Sequence, residues 1–412
     1  MASTQGASVI EPQHRPRVTE AQRSPDVPSL LATVARVGAI ASQHASASEE
    51  ARTLAPEAVQ ALRDSGLLAL ALPRALGGME CDPLTQATVF EAMARADTSA
   101  GWCFMISALI AALAGAYLPD EGARAVFPTP STYLAGLRLP MGTAQRTDGG
   151  YRVQGRWAFG SGARHADWIF TVALLPSERD DAPPSLLDVA LPVTDVHIED
   201  TWHVAGLRGS GSDHYRIDDA FVPEAFTCPA PAAPPLRGGP LYRLPMLALI
   251  APGHAAFVLG AAQRALDEIT AVAPHRIKAW PQTPLGQHPA FQMDLGRATV
   301  KLRAARAYTA DVLGSTWDRV RAGDDLTPAD WVSLRALTTY TADVAAEVSS
   351  FAYRAGGGSA LYATSPLQRC FRDLHAATQH IAATDDAYEF AGRHLLGIPE
   401  AVQPMTMPRL RA

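Results

Sequence analysis

The stretch HVAGLRGSGSDHYRIDDAFVPE, His203 to Glu224, joins a loop rich in glycine and serine to a segment with the composition of a β-strand. Such a loop offers backbone N–H groups that can hold an anion or the carbonyl group of a heterocycle. Its spacing matches neither the phosphate-binding loop nor the dinucleotide-binding fingerprint, which also need a strand-to-helix context. Alone, the stretch is typical of a solvated loop, so the surrounding sequence must decide its role.

Around this stretch the sequence predicts a small central β-domain, residues 131–235. Its segments are short, rich in β-branched and aromatic residues, and separated by turn signals such as Asp148-Gly149-Gly150. Before it, apolar residues at helical spacing predict an N-terminal helical domain, residues 27–130.

After a proline-rich joint, helical periodicity resumes and predicts a C-terminal four-helix bundle, residues 240–400. The four helices are expected near residues 244–272, 288–322, 327–354 and 366–393. The predicted fold class is therefore α+β. A ligand would lie where the helical domain, the β-domain and the bundle meet, which is a usual place for a pocket.

The composition argues against some classes of partner. The 412 residues carry a formal net charge of -6, with 48% hydrophobic and 18% charged residues. This balance gives no broad basic surface for a nucleic-acid backbone. The four cysteines lie far apart without a Cys-x-x-Cys pair, which predicts neither a metal site nor a disulfide framework and fits a reducing cytoplasm.

Two segments bear on localisation. Residues 1–26 lack the apolar core of a signal peptide and are predicted to be a disordered tail. The most apolar run, Phe104 to Leu118, is shorter than the roughly 20 residues that span a bilayer, so it is predicted to be a buried core helix. The chain is expected to be cytoplasmic and to have no membrane partner.

A second segment of the β-domain has the character of a ligand-binding turn. In GRWAFGSGARHADW, Gly155 to Trp168, aromatic residues flank a Gly-Ser-Gly turn. Small residues let the backbone approach a ligand, Ser161 can donate or accept a hydrogen bond, and Trp157 and Phe159 offer flat apolar surface. A tight hairpin with a packed tryptophan is the alternative interpretation.

In this order and with this spacing, the segments resemble the acyl-CoA dehydrogenase superfamily. GLRGSGSDHYRIDDAFVPE is similar to that family's G-x-R-G-S and V-x-V-P stretch, and AAQRALDEITAVAPHR, Ala261 to Arg276, is similar to the opening of its C-terminal bundle. The resemblance covers roughly residues 30–395. It implies an acyl-CoA dehydrogenase-like fold with a small β-barrel at its centre. It also implies a flavin between the β-domain and the bundle, and a homotetramer whose neighbouring subunit completes the cofactor site.

The branch of the family depends on LQRCFRDLHAATQH, Leu367 to His380, which is predicted to be one helix with Asp373 and His380 on the same face. In many dehydrogenases of this family, the glutamate that removes the substrate's α-proton lies just beyond an Arg-Asp pair like Arg372-Asp373. Here His380 and Ile381 occupy that region, and an isoleucine cannot act as a base.

Other carboxylates leave alternatives open. Asp385, Asp386 and Glu389 could replace the missing glutamate only if the helix ends or shifts, and some family members carry the glutamate on another helix. Asp373 is expected to pair with Arg369 or to orient a neighbour. An acyl-CoA dehydrogenase or oxidase with FAD therefore remains an alternative, as does a non-catalytic relative.

An Arg-Asp pair followed by this histidine resembles instead the flavin-dependent monooxygenases of the same fold, as does W-x-F-x-S-G at Trp157 to Gly162. This resemblance implies an oxygenase component that takes reduced flavin from a separate NAD(P)H:flavin reductase. It would add O2 at the flavin C4a carbon and oxygenate an aromatic or polycyclic small molecule. The implied cofactor is reduced FMN or FAD, with FMN favoured, and no metal is implied.

The resemblance also implies roles for individual residues. His380 would hydrogen-bond the flavin peroxide and switch protonation near neutral pH, and Ser161 would hydrogen-bond the flavin near N5. Arg276 would reach the flavin phosphates of an adjacent subunit, unless it is a solvated loop arginine. Trp102 and His380 would line the substrate pocket, with ordinary core positions as the alternative for both. The residues expected to bind the cofactor are Trp157, Phe159, Ser161, Gly162, Arg208, Ser210 and Arg276.

Overall fold

A computed structural model describes residues 26–139, 141–177, 183–230, 234–280 and 282–398. The predicted disordered tail, residues 1–26, lies outside this part of the chain except for Asp26.

Helices make up the N-terminal region, and local start signals place several of them. Their bounds are α1 Val27–Gln43, α2 Ala45–Ala51, α3 Pro56–Asp64, α4 Pro83–Ala96, α5 Thr98–Tyr117 and α6 Asp120–Val126. At the start of α4, Asp82 accepts hydrogen bonds from the N–H groups of Leu84 and Thr85, and Asp97 caps α5 in the same manner. The helical character predicted for this region is therefore present.

The central region is a sheet of eight strands among the described residues. Their bounds are β1 Leu134–Ala135, β2 Gly142–Thr147, β3 Gly150–Gly160, β4 Trp168–Leu175, β5 Ser185–Pro192, β6 His197–Glu199, β7 Asp213–Pro223 and β8 Thr227–Ala230. The strand order is β6-β7-β3-β2-β4-β5-β8, with β1 beside β4. The antiparallel register of β3 and β7 shifts between Trp157 and Gly160, so a bulge lies just before Ser161.

Helices return in the C-terminal region, and three of them lie within two residues of the predicted bounds. The helices are α7 Met246–Val272, α8 Pro289–Ala322, α9 Pro328–Gly356, α10 Pro366–Ala377 and α11 Asp386–Leu395. Proline at the first position of α8 and α9, and a capping box formed by Thr327 and Asp330, give these two helices sharp starts.

The predicted single helix over residues 366–393 is wrong, because the chain turns between α10 and α11. Thr338 and Thr339 of α9 donate hydrogen bonds to the carbonyl groups of Ala382 and Thr384 in this turn. The N–H of Ala382 donates to His380 Nδ1. His380 therefore lies in the turn, beyond the helical face that carries Asp373.

The two most apolar long helices, α5 and α7, pack tightly against each other. A Cβ on Gly253 of α7 would lie 2.8 Å from the Cγ of Met105 in α5, so only glycine allows this approach. Both helices are long and apolar enough to span a bilayer, yet 94% and 78% of their most apolar windows are buried in the fold. The apolar run Phe104 to Leu118 is thus a core helix, as predicted.

Candidate active site

Trp102 stands at the meeting point of α5, α7 and the turn that follows α10. Its ring makes edge contacts with three other rings, at centroid distances of 5.7 Å to His254, 5.1 Å to Phe257 and 5.6 Å to His380. Phe257 and His254 lie one turn apart on α7, so both face the same side of the helix. The structure therefore brings the predicted residues Trp102 and His380 together.

A row of hydrogen-bonded side chains connects Trp102 to the glycine- and serine-rich loop. The Trp102 Nε1–H donates to Ser161 Oγ over 2.9 Å. Ser161 Oγ lies 2.7 Å from Ser212 Oγ, and Ser212 Oγ lies 2.8 Å from Ser210 Oγ. We call Ser161, Ser212 and Ser210 the serine row. The row joins Ser161 and Ser210, both predicted, through Ser212, which was not predicted although it lies in the same loop.

His254 and His380 form a close pair that the sequence analysis did not predict. Their Nε2 atoms are 3.2 Å apart and their ring centroids 4.0 Å apart. Burial lowers the pKa of His254 to about 4, against a smaller raising effect of its hydrogen bond to Ile250. Loss of hydration, and then the neighbouring His254, hold the pKa of His380 well below its usual range. This direction disfavours the expected change of protonation at His380 near neutral pH.

Asp373 faces the loop rather than the rings. Its carboxylate accepts hydrogen bonds from the Thr98 hydroxyl and from the N–H of Leu207, the latter over 2.6 Å. The predicted pairing with Arg369 is wrong, because Arg369 binds Glu49 over 2.9 Å. Burial raises the pKa of Asp373 to about 6, against the opposing effect of the two hydrogen bonds. Orienting a neighbour, the other predicted role, matches these contacts.

The three carboxylates considered as substitutes for the missing base lie on the surface. Asp385, Asp386 and Glu389 are exposed, in or next to α11. Asp386 lies 3.6 Å from a guanidinium nitrogen of Arg335, and Glu389 lies 3.6 Å from one of Arg393. Their exposure separates them from the buried rings around Trp102.

Trp157 is a core residue, and the expectation that it offers surface to a cofactor is wrong. It has 0% exposure, its Nε1–H donates to the carbonyl of Val172, and its ring stacks on Tyr215 at 5.7 Å. A Cβ on Gly142 would lie 2.3 Å from its ring, so that side is closed as well. This outcome corresponds to the packed tryptophan of the alternative interpretation.

Phe159 provides the open aromatic surface instead. Its side chain is 57% exposed, and its positive φ of 57° at the bulge turns it away from the core. Its ring makes edge contacts with Trp202 at 6.3 Å and His214 at 6.2 Å. The nearby Gly162 has a φ of 75°, and its N–H donates to the carbonyl of Ser210 over 3.0 Å. The turn is thereby tied to the loop.

The two predicted arginines occupy different environments. Arg208 lies in the loop next to the serine row, and its buried Nε has no hydrogen-bond partner among the described residues. Arg276 follows α7, where it donates to Ser359 Oγ over 3.2 Å. Val272, at the end of α7, is about 27 Å along the helix axis from His254. Arg276 therefore does not join the cluster within one chain.

These residues fit a flavin. The open face of Phe159 suits a flat ring system, and the Ser161 hydroxyl suits a ring nitrogen or carbonyl. The unpartnered Arg208 Nε–H can donate to an acceptor on such a group. No group of three or more His, Cys, Asp or Glu side chains in the described ranges has the arrangement of a metal site.

Comparison with known proteins places these features in a family. The acyl-CoA dehydrogenase N-terminal domain model matches residues 29–121, and the C-terminal domain model matches residues 252–385. Indole-3-acetate monooxygenase of Pseudomonas putida is 33% identical over 348 residues, which cover 84% of this chain and 88% of that protein. The FADH2-dependent resorcinol hydroxylase oxygenase component of a Rhizobium species is 30% identical over 401 residues, 92% of this chain and 96% of that protein.

A solved structure agrees with these relatives. XiaF from a Streptomyces species, solved with FADH2 and glycerol, superposes with a TM-score of 0.83 and 27% identity, over 92% of this chain and 97% of that one. The chain belongs to the acyl-CoA dehydrogenase family, within its branch of flavin-dependent monooxygenases. The predicted family is thus confirmed, as is the order of N-terminal helices, central sheet and C-terminal helices.

Proposed function

We propose that this protein is the oxygenase component of a two-component monooxygenase, which uses reduced flavin and O2 to oxygenate an aromatic or polycyclic small molecule. The observation that carries the proposal is the cluster of Trp102, His254 and His380, where the dehydrogenase resemblance predicts a glutamate base. Among the described residues, His254 and His380 form their side-chain hydrogen bond with each other and not with a carboxylate. The names of the relatives, a monooxygenase and a hydroxylase, support the same reaction class.

A reduced flavin, when bound, supplies the electrons that activate O2. The residues of this chain would hold and shield it. Phe159 would contact the ring system, Ser161 would hydrogen-bond it near N5, and Arg208 with the loop N–H groups would bind its acceptors. Trp102 and Phe257 close the region with apolar surface and so keep water from the reacting atoms. His380 would donate a hydrogen bond from Nε2.

The choice of flavin stays part of the proposal. The family resemblance slightly favours FMN over FAD, whereas one relative and one solved structure are named with FADH2. A separate NAD(P)H:flavin reductase is the proposed source of the reduced cofactor, since one relative is named as an oxygenase component. α5 is almost entirely apolar, and a pocket wall built from it would suit a flat substrate better than a charged CoA thioester.

The proposed assembly and location rest on the family resemblance. We propose a homotetramer in which Arg276 reaches the flavin phosphates of a neighbouring subunit, because it lies far from the cluster of its own chain. We also propose that the central sheet closes as a small barrel, that the long C-terminal helices form a four-helix bundle, and that the domains keep the bounds given above. The protein would be cytoplasmic, with neither nucleic acid nor membrane as a partner.

One rapid-mixing experiment tests the reaction class. Anaerobic protein with reduced FMN or reduced FAD is mixed with oxygenated buffer, and absorbance is followed until the flavin is oxidised. We expect a transient spectrum, distinct from both reduced and oxidised flavin, that precedes oxidation. Oxidation at the rate of free flavin, with either cofactor, would reject the proposal.

A control experiment tests the alternative that the protein is an acyl-CoA dehydrogenase. Protein loaded with oxidised FAD is mixed with a series of acyl-CoA thioesters of different chain length. We expect no bleaching of the flavin, because a base of suitable pKa is missing from the cluster. Rapid bleaching by one of these thioesters would favour the dehydrogenase instead.

A further inference from the structure

His254 has contacts that assign it a role beside His380. We propose that His254 is a positioning residue: it accepts the Nε2–H of His380 and so holds that ring as the neutral Nε2–H tautomer, the form that can donate to an acceptor at the flavin site. This inference rests on the proposed function for its catalytic meaning. The hydrogen bonds on which it depends belong to the protein alone.

The positions of the protons on the two histidine rings follow from hydrogen-bond partners that can only accept or only donate. His254 Nδ1 lies 3.2 Å from the carbonyl oxygen of Ile250, which only accepts, so Nδ1 carries the proton. His380 Nδ1 lies 3.2 Å from the N–H of Ala382, which only donates, so this nitrogen carries the lone pair. In two neutral rings, the Nε2–H of His380 then donates to the bare Nε2 of His254 across 3.2 Å.

The surroundings keep both rings neutral. Trp102 of α5 packs against both rings, Phe257 of α7 packs against Trp102, and the turn adds the N–H of Ala382. Among the described residues, the titratable group in contact with each histidine is the other one, with 3.2 Å between their Nε2 atoms. A proton added to either bare ring nitrogen would place two N–H groups against each other, which is unfavourable in a buried pair.

His380 has one N–H in this arrangement, and His254 accepts it in the chain without ligand. All four ring nitrogens have partners, and His254 is buried whereas His380 is only partly buried. An acceptor that approaches the reachable edge of His380 competes with His254 for the Nε2–H. His254 thus fixes the direction of that proton before a ligand arrives, and stops the ring from turning its bare Nδ1 toward the site.

The first test uses the chain without flavin. Long-range nitrogen–proton NMR spectra of histidine-labelled protein distinguish the two neutral tautomers, and single substitutions at His254 and His380 assign the signals. We expect His380 as the Nε2–H form and His254 as the Nδ1–H form at neutral pH. Finding His380 as the Nδ1–H form, or doubly protonated, would overturn the inference without any need for reduced flavin.

The second test compares two substitutions that separate hydrogen bonding from packing. His254→Gln can keep an acceptor near the position of Nε2, whereas His254→Phe keeps an aromatic ring and removes the acceptor. Loss of this buried hydrogen bond should raise hydrogen peroxide release per reduced flavin about fivefold or more in His254→Phe, and change it less than about twofold in His254→Gln. A purely packing role predicts the reverse order.

The outcomes are distinguishable from failure of the proposed function. If wild-type protein does not oxygenate any aromatic substrate, the proposed function fails, and the NMR test still decides the hydrogen-bond arrangement. If the wild type couples oxidation to oxygenation and His254→Phe does so equally well, the positioning role is rejected. Thermal unfolding of both variants provides the check that each is folded.

Discussion

The carboxylate of Asp373 on α10 accepts a hydrogen bond from the backbone N–H of Leu207, 2.6 Å away in the glycine- and serine-rich loop. The two elements also touch directly, since a Cβ on Gly206 would lie 2.0 Å from the carbonyl oxygen of Arg372. Leu207 has a positive φ of 53°, which is uncommon for a leucine. Asp373 therefore holds a strained loop segment at the edge of the candidate site.

The titration of Asp373 predicts a pH-dependent stability. Its folded pKa of about 6 lies above the unfolded value of about 3.9, so the folded chain binds more protons between them. The free energy of unfolding should therefore fall as pH rises from about 4 to about 7. Asp373→Asn lacks this group, so the free energy of unfolding of the wild type minus that of the variant should decrease over the same range.

Chemical denaturation at several pH values measures this difference. Asp324→Asn is the matched control, because Asp324 is an exposed carboxylate in the loop between α8 and α9. A difference between wild type and Asp373→Asn that stays constant with pH would contradict the prediction. The larger truncation Asp373→Ala should cost about 1–3 kcal/mol at neutral pH, because the Leu207 N–H then loses its buried partner.

Removal of the Ser161 hydroxyl should weaken flavin binding. Ser161→Ala takes away the proposed hydrogen bond near N5 and also leaves the Trp102 Nε1–H without its acceptor. We expect the dissociation constant for reduced flavin to rise about fivefold to tenfold, the worth of one net hydrogen bond. Anaerobic titration measures it, with Ser315→Ala on the exposed side of α8 as the control. Equal affinity in Ser161→Ala would remove this residue from the cofactor site.

Substitution of His380 should uncouple the reaction without adding a new pH dependence. His380→Ala removes the proposed Nε2–H donor, so hydrogen peroxide release per reduced flavin should increase. Because the pKa of His380 is held well below its usual range, wild-type coupling should show no inflection from this ring between about pH 6 and pH 8. Peroxide assays across that range measure both effects.

His375 offers a matched control for His380. It lies on α10, its ring contacts the tilted ring of Phe371 at 4.3 Å, and its Nε2 lies 3.1 Å from Ser350 Oγ, so its contacts are with α10 and α9. His375→Asn should keep wild-type coupling. A clear inflection near neutral pH that disappears in His380→Ala would show that the ring titrates, contrary to the prediction.

Arg276 should matter for the cofactor only in an assembled protein. Arg276→Ala is expected to raise the dissociation constant for reduced flavin about tenfold or more, the worth of hydrogen bonds from a charged donor. Arg276→Lys should recover part of the affinity. Flavin titration combined with analytical ultracentrifugation separates loss of binding from loss of assembly. Arg297→Ala on α8 is the control, and equal affinity in both alanine variants would exclude the role.

The sequence predicts long, locally signalled elements well. Proline and capping residues mark the starts of α8 and α9, so their bounds come within two residues. The break after Ala377 has no glycine or proline to mark it. It depends on hydroxyl groups of α9, Thr338 and Thr339, that bind carbonyls more than 40 positions away in the chain. Periodicity within one segment cannot report such a contact.

Only part of the candidate site was predicted, because sequence patterns within one segment do not report contacts between distant segments. Ser161 and Ser210 lie in turns whose composition points to ligand contact, and the structure joins them in one row. His254 lies in an apolar helix, where a histidine is typical of a core position. Its neighbours Pro252 and Gly253 were the only sequence signal that the helix is irregular at this point. Trp157 and Phe159 were both predicted to offer surface, but only Phe159 is exposed. A bulge separates the two residues, and alternation along a strand does not reveal it.

The serine row has a consequence for turnover. Its hydroxyl groups are fixed by one another and by Trp102, so folding itself selects their rotamers. A cofactor that must arrive from solution and depart again in each cycle would meet a surface that is already ordered. Little side-chain entropy would then be lost on capture. Moderate affinity, which permits rapid exchange, would be compatible with accurate placement of the ring.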